Sequence, residues 1–155
     1  RRLAVIGGPG DLTQVRDRRR GANFVLQAAP EASLLVISTE LLDVAWGRRA
    51  ADDLLLLPER ERPTAVFALN DQLAIGALTV MRANGIEIPR QVQVIGFDNI
   101  EESQYLQIPL TTMDSRLEWT APTAVERILG RIRGEIAKPE LLMTDCDVIV
   151  RDSTR

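Results

Sequence analysis

The sequence predicts an α/β protein with a parallel sheet and helices on both faces. Three observations carry this expectation. Short apolar runs without polar alternation recur along the chain, as strands buried on both faces require. Segments with helical spacing separate the first four of them. The stretch from Pro63 to Asp98 reads as a complete strand–helix–strand unit that ends on a carboxylate at the C-terminal tip of a strand.

The elements follow in order. Leu3 to Ile6 is a strand stopped by Gly7-Gly8-Pro9-Gly10, and Thr13 to Gln27 carries Val15, Ala22, Val25 and Leu26 among arginines, as a surface helix does. Leu34 to Ile37 is the second strand, stopped by Ser38-Thr39-Glu40. Val44 to Leu57 is helical, with Trp46, Ala50, Leu54 and Leu57 at helical spacing. A charged loop, Glu59 to Arg62, leads to the strand Thr64 to Leu69. Asn70-Asp71 then caps a helix from Gln72 to Ala83, because Asn and Asp side chains accept hydrogen bonds from the first free N–H groups. Asn84-Gly85 closes that helix, and Pro89 keeps it from resuming before the strand Val92 to Phe97. Ile100 to Gln107 is a connector, and Pro109 to Met113 is extended. A helix from about Leu117 to Ile136 follows, then one or two strands within Leu141 to Val150 and a polar tail from Arg151 to Arg155. Pro122 lies inside that last helix, where proline costs roughly 3 kcal/mol, so the helix either starts near Thr120, the favoured reading, or kinks at Pro122.

Composition sets the outer bounds. At 155 residues the chain holds one domain, or one lobe of a larger protein with a fragment of a second. Its 45% hydrophobic content supports a real core, and no apolar run approaches the ~20 residues that span a bilayer. A net charge of −3 argues against a nucleic-acid surface in this part of the protein, and the arginines at 16 and 18–20 read as a solvated helix face. Cys146 stands alone, so no internal disulfide is available, and without histidine neither a Ser-His-Asp triad nor histidine-ligated zinc is available within the chain. No metal or cofactor is expected, and no catalytic residue.

In a parallel sheet all C-terminal strand tips open on one side, so Gly7 to Arg16, Ser38 to Trp46, Asn70-Asp71 and Asp98 should share one crevice. Carboxylate, amide and guanidinium groups bond adjacent hydroxyls, and an indole covers the apolar face of a sugar ring. The set suits a polyhydroxylated small molecule. Each residue also has a plainer use: Asn70 as a helix cap, Asp98 as a loop carboxylate, Trp46 as core packing.

The segment PTAVFALNDQLAIGALTVMRANGIEIPRQVQVIGFDN, followed by IPLTT, closely resembles the effector-binding core of the LacI/GalR family of bacterial transcription regulators. AVIGGPGDLTQVRDRRRG at the start and DVIVRDST at the end extend the likeness over nearly the whole chain. The resemblance implies a Rossmann-like, periplasmic-binding-protein-type fold of two lobes with an effector between them. Residues 1–112 would be the C-terminal lobe. Residues 113–155 would be the crossover, helix and strand returning to an N-terminal lobe that is mostly absent, as is the helix-turn-helix head that would reach operator DNA. It further implies effector contacts at Arg16, Trp46, Asn70, Asp98 and Ser115. Asn99 departs from the second acid common in the family.

Leu73 to Met81 is apolar around almost its full circumference, which requires a covering surface besides the sheet. A neighbouring loop would serve. In the family this helix joins a homodimer, which places Leu73, Ala77, Leu78 and Met81 at a dimer interface. The implied mechanism is allosteric and cytoplasmic, with no enzyme activity and no membrane partner. Two rival readings remain. A periplasmic sugar-binding protein shares the fold, and an enzyme would use Gly7-Gly8-Pro9-Gly10-Asp11 as a phosphate loop, although that segment lacks the Gly-Lys-Ser/Thr ending.

Overall fold

The structure, a computed structural model, describes residues 1–135 and 138–155. In chain order its elements are β1 (Arg2–Gly7), α1 (Thr13–Leu26), β2 (Ser33–Ser38), α2 (Val44–Leu56), β3 (Ala65–Ala68), α3 (Asp71–Ala83), β4 (Gln93–Phe97), β5 (Thr111–Asp114), α4 (Leu117–Ile132) and β6 (Asp147–Ile149). The sheet order is β2-β1-β3-β4-β5-β6, parallel throughout except for β6, which runs antiparallel to β5.

The chain winds outward from β1 to β2 and then back across to β3. With right-handed crossovers this reversal puts α1 on one face and α2 and α3 on the other. The apolar clusters divide in the same way. Val5 and Leu69 meet Val15 of α1, while Ala4, Ile6, Val66, Ala68 and Val94 meet α2 and α3 in the main core.

Helices α2 and α3 cross at Gly47 and Gly76. A Cβ on Gly76 would strike the carbonyl oxygen of Val44, and one on Gly47 the carbonyl oxygen of Leu73. This close crossing supplies the covering surface that α3 needs. Leu73, Ala77, Leu78 and Met81 are buried inside the chain, at 0%, 0%, 4% and 2% exposure. The expected dimer interface is therefore corrected for Leu73, Ala77 and Met81, which α2, the sheet and the flanking Ile86 and Leu106 cover; Leu78 is also packed in the core and reaches only the floor of a small cleft beside Thr79 and Arg82.

The C-terminal part departs from expectation in three ways. First, α4 begins at Leu117, not near Thr120, and carries Pro122 in its second turn. The missing N–H of Pro122 forfeits one backbone bond, to the Glu118 carbonyl, and the first turn is closed by Trp119 and Thr120 N–H groups donating to the Arg116 carbonyl. The far end expected for this helix, Ile136, lies outside the described residues. Second, the strand expected to return to another lobe is β6, and it pairs here with β5 through Thr112–Ile149, Met113–Val148 and Asp114–Asp147. The boundary expected after residue 112 thus falls inside β5. Third, the polar tail is built into the sheet. Val94 N–H donates to the Ser153 carbonyl and Ser153 N–H to the Pro109 carbonyl, both at 3.0 Å, while the fully buried Ser153 hydroxyl donates to the Val94 carbonyl at 2.6 Å.

Helix α4 leaves most of its apolar side uncovered. Val125, Ile128, Leu129 and Ile132 are exposed, and Ala121, Val125 and Leu129 help line a groove of about 540 Å³.

Candidate functional site

The sheet order reverses between β1 and β3, and in open α/β sheets the crevice outside the strand tips at such a point receives ligands. Glycine leaves room at one corner of this rim, where a Cβ on Gly8 would lie 2.8 Å from the Leu42 side chain and displace it. The glycine-rich turn thus has a packing reason, and no phosphate is needed to explain it.

Arg18 and Asp98 meet at this rim. The Arg18 guanidinium, carried by α1, donates to the Leu69 carbonyl at the end of β3 and to Asp98 Oδ1 at 3.4 Å beyond the end of β4. Its carbon lies 3.6 Å from the centroid of the Phe97 ring, a stacked cation–π geometry. The side chains are 21% and 31% exposed, so the pair is held by the protein yet reachable from the crevice. Two contacts do not exhaust a guanidinium's five N–H donors.

Arg16 is the residue expected in this role, and the structure does not bring it there. Val15, Arg18 and Ala22 share the face of α1 turned to the sheet, with Val15 and Ala22 in its apolar cluster. Arg16 is exposed and lies in a groove of about 450 Å³ on the outer face with Arg19, Arg20, Asn23, Phe24 and Gln27. Among the described residues its side chain donates to Thr13 Oγ1, at 3.4 Å, and to no group of the crevice.

Asn70 and Trp46 are largely occupied by structure. Asn70 Oδ1 accepts the Leu73 N–H at 2.9 Å, the helix cap read from sequence, and Asn70 Nδ2 donates to the Leu42 carbonyl at 2.8 Å. Its amide thereby ties the tip of β3 to the loop beyond β2. Trp46 sits in the first turn of α2, at the β2 edge of the rim, packed against the main core with the Arg49 guanidinium 4.6 Å from its ring centroid. Ser115 is half-buried between β5 and α4, and its carbonyl accepts from Thr120 Oγ1 at 3.4 Å. Its neighbours Asp114 and Arg116 carry the bonding there. The structure therefore joins Asp98 to Arg18, and places Asn70, Trp46 and Ser115 around the rim without linking them to that pair.

Asp71, which the sequence places in a helix cap and at the crevice, is buried beneath the rim and anchors it. At 0% exposure its carboxylate accepts from Thr112 Oγ1 at 2.6 Å and from the Ile100 N–H at 2.9 Å. Burial pushes its pKa up, against the lowering effect of the Thr112 and Ile100 bonds and of the Arg151 charge. Burial also raises the pKa of Asp98; the Arg18 charge opposes this and the Asp71 charge adds to it. A raised native pKa means that protonation favours the folded state. The stabilising effect is fully present below the unfolded value and is lost as pH rises through the native one. Wild type should therefore gain stability relative to Asp71→Asn as the pH is lowered from neutral into the carboxylate range. Denaturant unfolding of both proteins across that range checks this, and a gap that does not change with pH would contradict it.

The chain matches the family described as periplasmic binding protein-like domain over residues 1–154. The chain belongs to that family. Among sequence relatives, the HTH-type transcriptional repressor PurR of Aliivibrio fischeri is 33% identical over 155 residues, covering 97% of this chain and 45% of PurR. A solved complex of the transcriptional regulator CelR with cellobiose superposes with a TM-score of 0.87 at 30% identity, covering 99% of this chain and 46% of CelR. A LacI family regulator from Enterococcus faecium with bound ribose gives 0.88 at 26% identity, over 98% of this chain and 56% of that one. The chain spans about half the length of the relatives it matches. The resemblance read from PTAVFALND, GFDN and PLTT thus holds over residues 1–154.

Proposed function

We propose that this chain is the C-terminal lobe and crossover of the effector-binding core of a DNA-binding transcriptional repressor. A sugar or related small molecule binds in its strand-tip crevice and changes operator affinity. The observation that carries this reading is the Arg18–Asp98 pair, fixed at the reversal point of the sheet by Phe97 and the Leu69 carbonyl. A cation beside a carboxylate, both partly open, donates to and accepts from the neighbouring hydroxyls of a polyhydroxylated ligand. Binding is the function these groups serve, not catalysis. Relatives that are repressors, and neighbours solved with cellobiose and ribose, support the regulatory reading over the transport one.

The uncovered side of α4 is the second support. Its exposed Val125, Ile128 and Ile132 form the seat for a first lobe, so α4 is the return segment, while the rest of β5, β6 and the tail around Ser153 stay with the sheet of the lobe. A homodimer would use the outer edge of α3 and the loop beside it. There Ile75 is half-buried, Thr79 exposed and Tyr105 73% exposed, and Thr79, Arg82 and Gln107 line one small cleft. Operator DNA would be reached through a head outside this chain, in the cytoplasm.

Reading the genomic frame upstream of the codon for Arg1 tests the assignment. A helix-turn-helix followed by a first lobe is expected. A cleavable signal peptide would instead make this lobe part of a secreted sugar receptor.

A further inference from the structure

Asp98 and Asn99 both have positive φ, 115° and 53°, although neither is glycine. Their turn is held from several sides. Asp98 N–H donates to the Met113 carbonyl at 2.9 Å, Asn99 N–H to Thr112 Oγ1 at 3.3 Å, and Ile100 N–H to Asp71 Oδ2 at 2.9 Å. The Asn99 side chain then joins two groups of opposite charge. Its Oδ1 accepts from Arg151 Nη2 at 2.8 Å, and its Nδ2 donates to Asp114 Oδ2 at 3.0 Å.

Both partners are themselves fixed. Arg151, in the C-terminal tail, also donates to Ser103 Oγ at 3.1 Å and to the Leu110 carbonyl at 2.8 Å. The second oxygen of Asp114 accepts the N–H of Arg116 at 2.7 Å, and Arg116, at φ 51°, is the residue from which α4 starts. The Arg116 guanidinium closes the chain on Asp147 of β6 at 2.7 Å. A carboxylate at position 99 would accept from Arg151 but meet Asp114 as a like charge. Only an amide serves both neighbours.

We propose that Asn99 is a positioning residue whose amide couples the Asp98 rim to the crossover entering α4, so that displacement of the rim is transmitted to the start of that helix. The inference rests on the strand-tip crevice being the ligand site. The coupling itself is a property of the unliganded protein and is measured without a ligand, so its failure would leave the crevice reading standing.

The test is backbone hydrogen exchange in the full-length protein, read at residues 98–100 and at 116–120. Asn99→Asp is expected to speed exchange at both segments by about tenfold, the effect of losing roughly 1.4 kcal/mol from a side-chain bond. Asn99→Asp combined with Asp114→Asn exchanges amide and carboxylate. The new carboxylate still accepts from Arg151, the new amide donates across to it, and its oxygen still accepts from Arg116 N–H. Exchange at both segments should return to the wild-type rate. If Asn99→Asp does not fold, Asn99→Gly keeps the positive φ without strain and deletes both side-chain bonds, and it should speed exchange at both segments. The proposal is overturned if only residues 98–100 respond, if neither segment responds, or if the double variant exchanges as fast as Asn99→Asp alone or faster.

Discussion

Arg18→Met in the full-length protein is expected to weaken ligand binding by about 30- to 1000-fold, the loss of roughly 2–4 kcal/mol from charge-assisted hydrogen bonds in a partly buried site. Methionine keeps the stem that packs over Phe97 but removes the donors toward Asp98, the Leu69 carbonyl and the ligand. Operator affinity without ligand should stay as in wild type, because the pair lies at the strand tips of this lobe, outside its main apolar core. Arg16→Ala is the control. Arg16 lies on the outer face of α1, so that variant should respond normally. Calorimetry with the sugar to which wild type responds, from a panel that includes ribose and cellobiose, decides between the two arginines. A silent Arg16→Ala and a responsive Arg18→Met would reverse the assignment.

Gly76→Val is expected to be the most damaging single change to the lobe. The added Cβ meets the Val44 carbonyl and lies 2.8 Å from the Arg48 nitrogen, and neither is a side chain that can rotate away. Helices α2 and α3 must then separate, which loosens contacts of Leu73, Ala77 and Leu54 in the main core. A cost of about 3 kcal/mol or more follows from overpacking against rigid backbone, a fall in Tm of roughly 6–12 °C for a protein of this size. Gly21→Ala provides the comparison. Nothing lies within 4 Å of its added Cβ, so it should be neutral or stabilise by about 0.5–1 kcal/mol through helix propensity. Equal melting temperatures for wild type and Gly76→Val would contradict the close crossing.

The alternation of apolar runs and helical segments made the parallel sheet legible, because buried strands and amphipathic helices leave different periodicities. The Asn70 cap was legible for a related reason: a side chain bonding its own helix terminus is a local event. Long-range pairing was not. Whether β6 joins β5 or leaves the sheet depends on partners more than thirty residues away, and no local pattern marks Ser153 as an insertion between β4 and β5. The covering of α3 failed as an inference for the same reason. Its apolar circumference showed that a second surface was needed, but only the Gly47–Gly76 crossing shows that α2 supplies it. The choice between Arg16 and Arg18 was open to sequence reasoning. Val15 is the buried residue of α1, and helical spacing puts Arg18, not Arg16, above it. Asp71 gave no such signal, since Asn70-Asp71 reads as a cap whether the acid faces solvent or, as here, Thr112 and Ile100.

The central claim is that a small molecule in the Arg18–Asp98 crevice controls DNA binding. Fluorescence anisotropy of labelled operator DNA, titrated with full-length protein in the presence of each sugar of the panel, tests it most directly. At least one sugar is expected to move the operator affinity by about 5- to 150-fold, the range of a typical allosteric coupling, and to lose that effect in Arg18→Met. Operator binding that ignores every sugar, or a response that survives intact in Arg18→Met, would contradict the account.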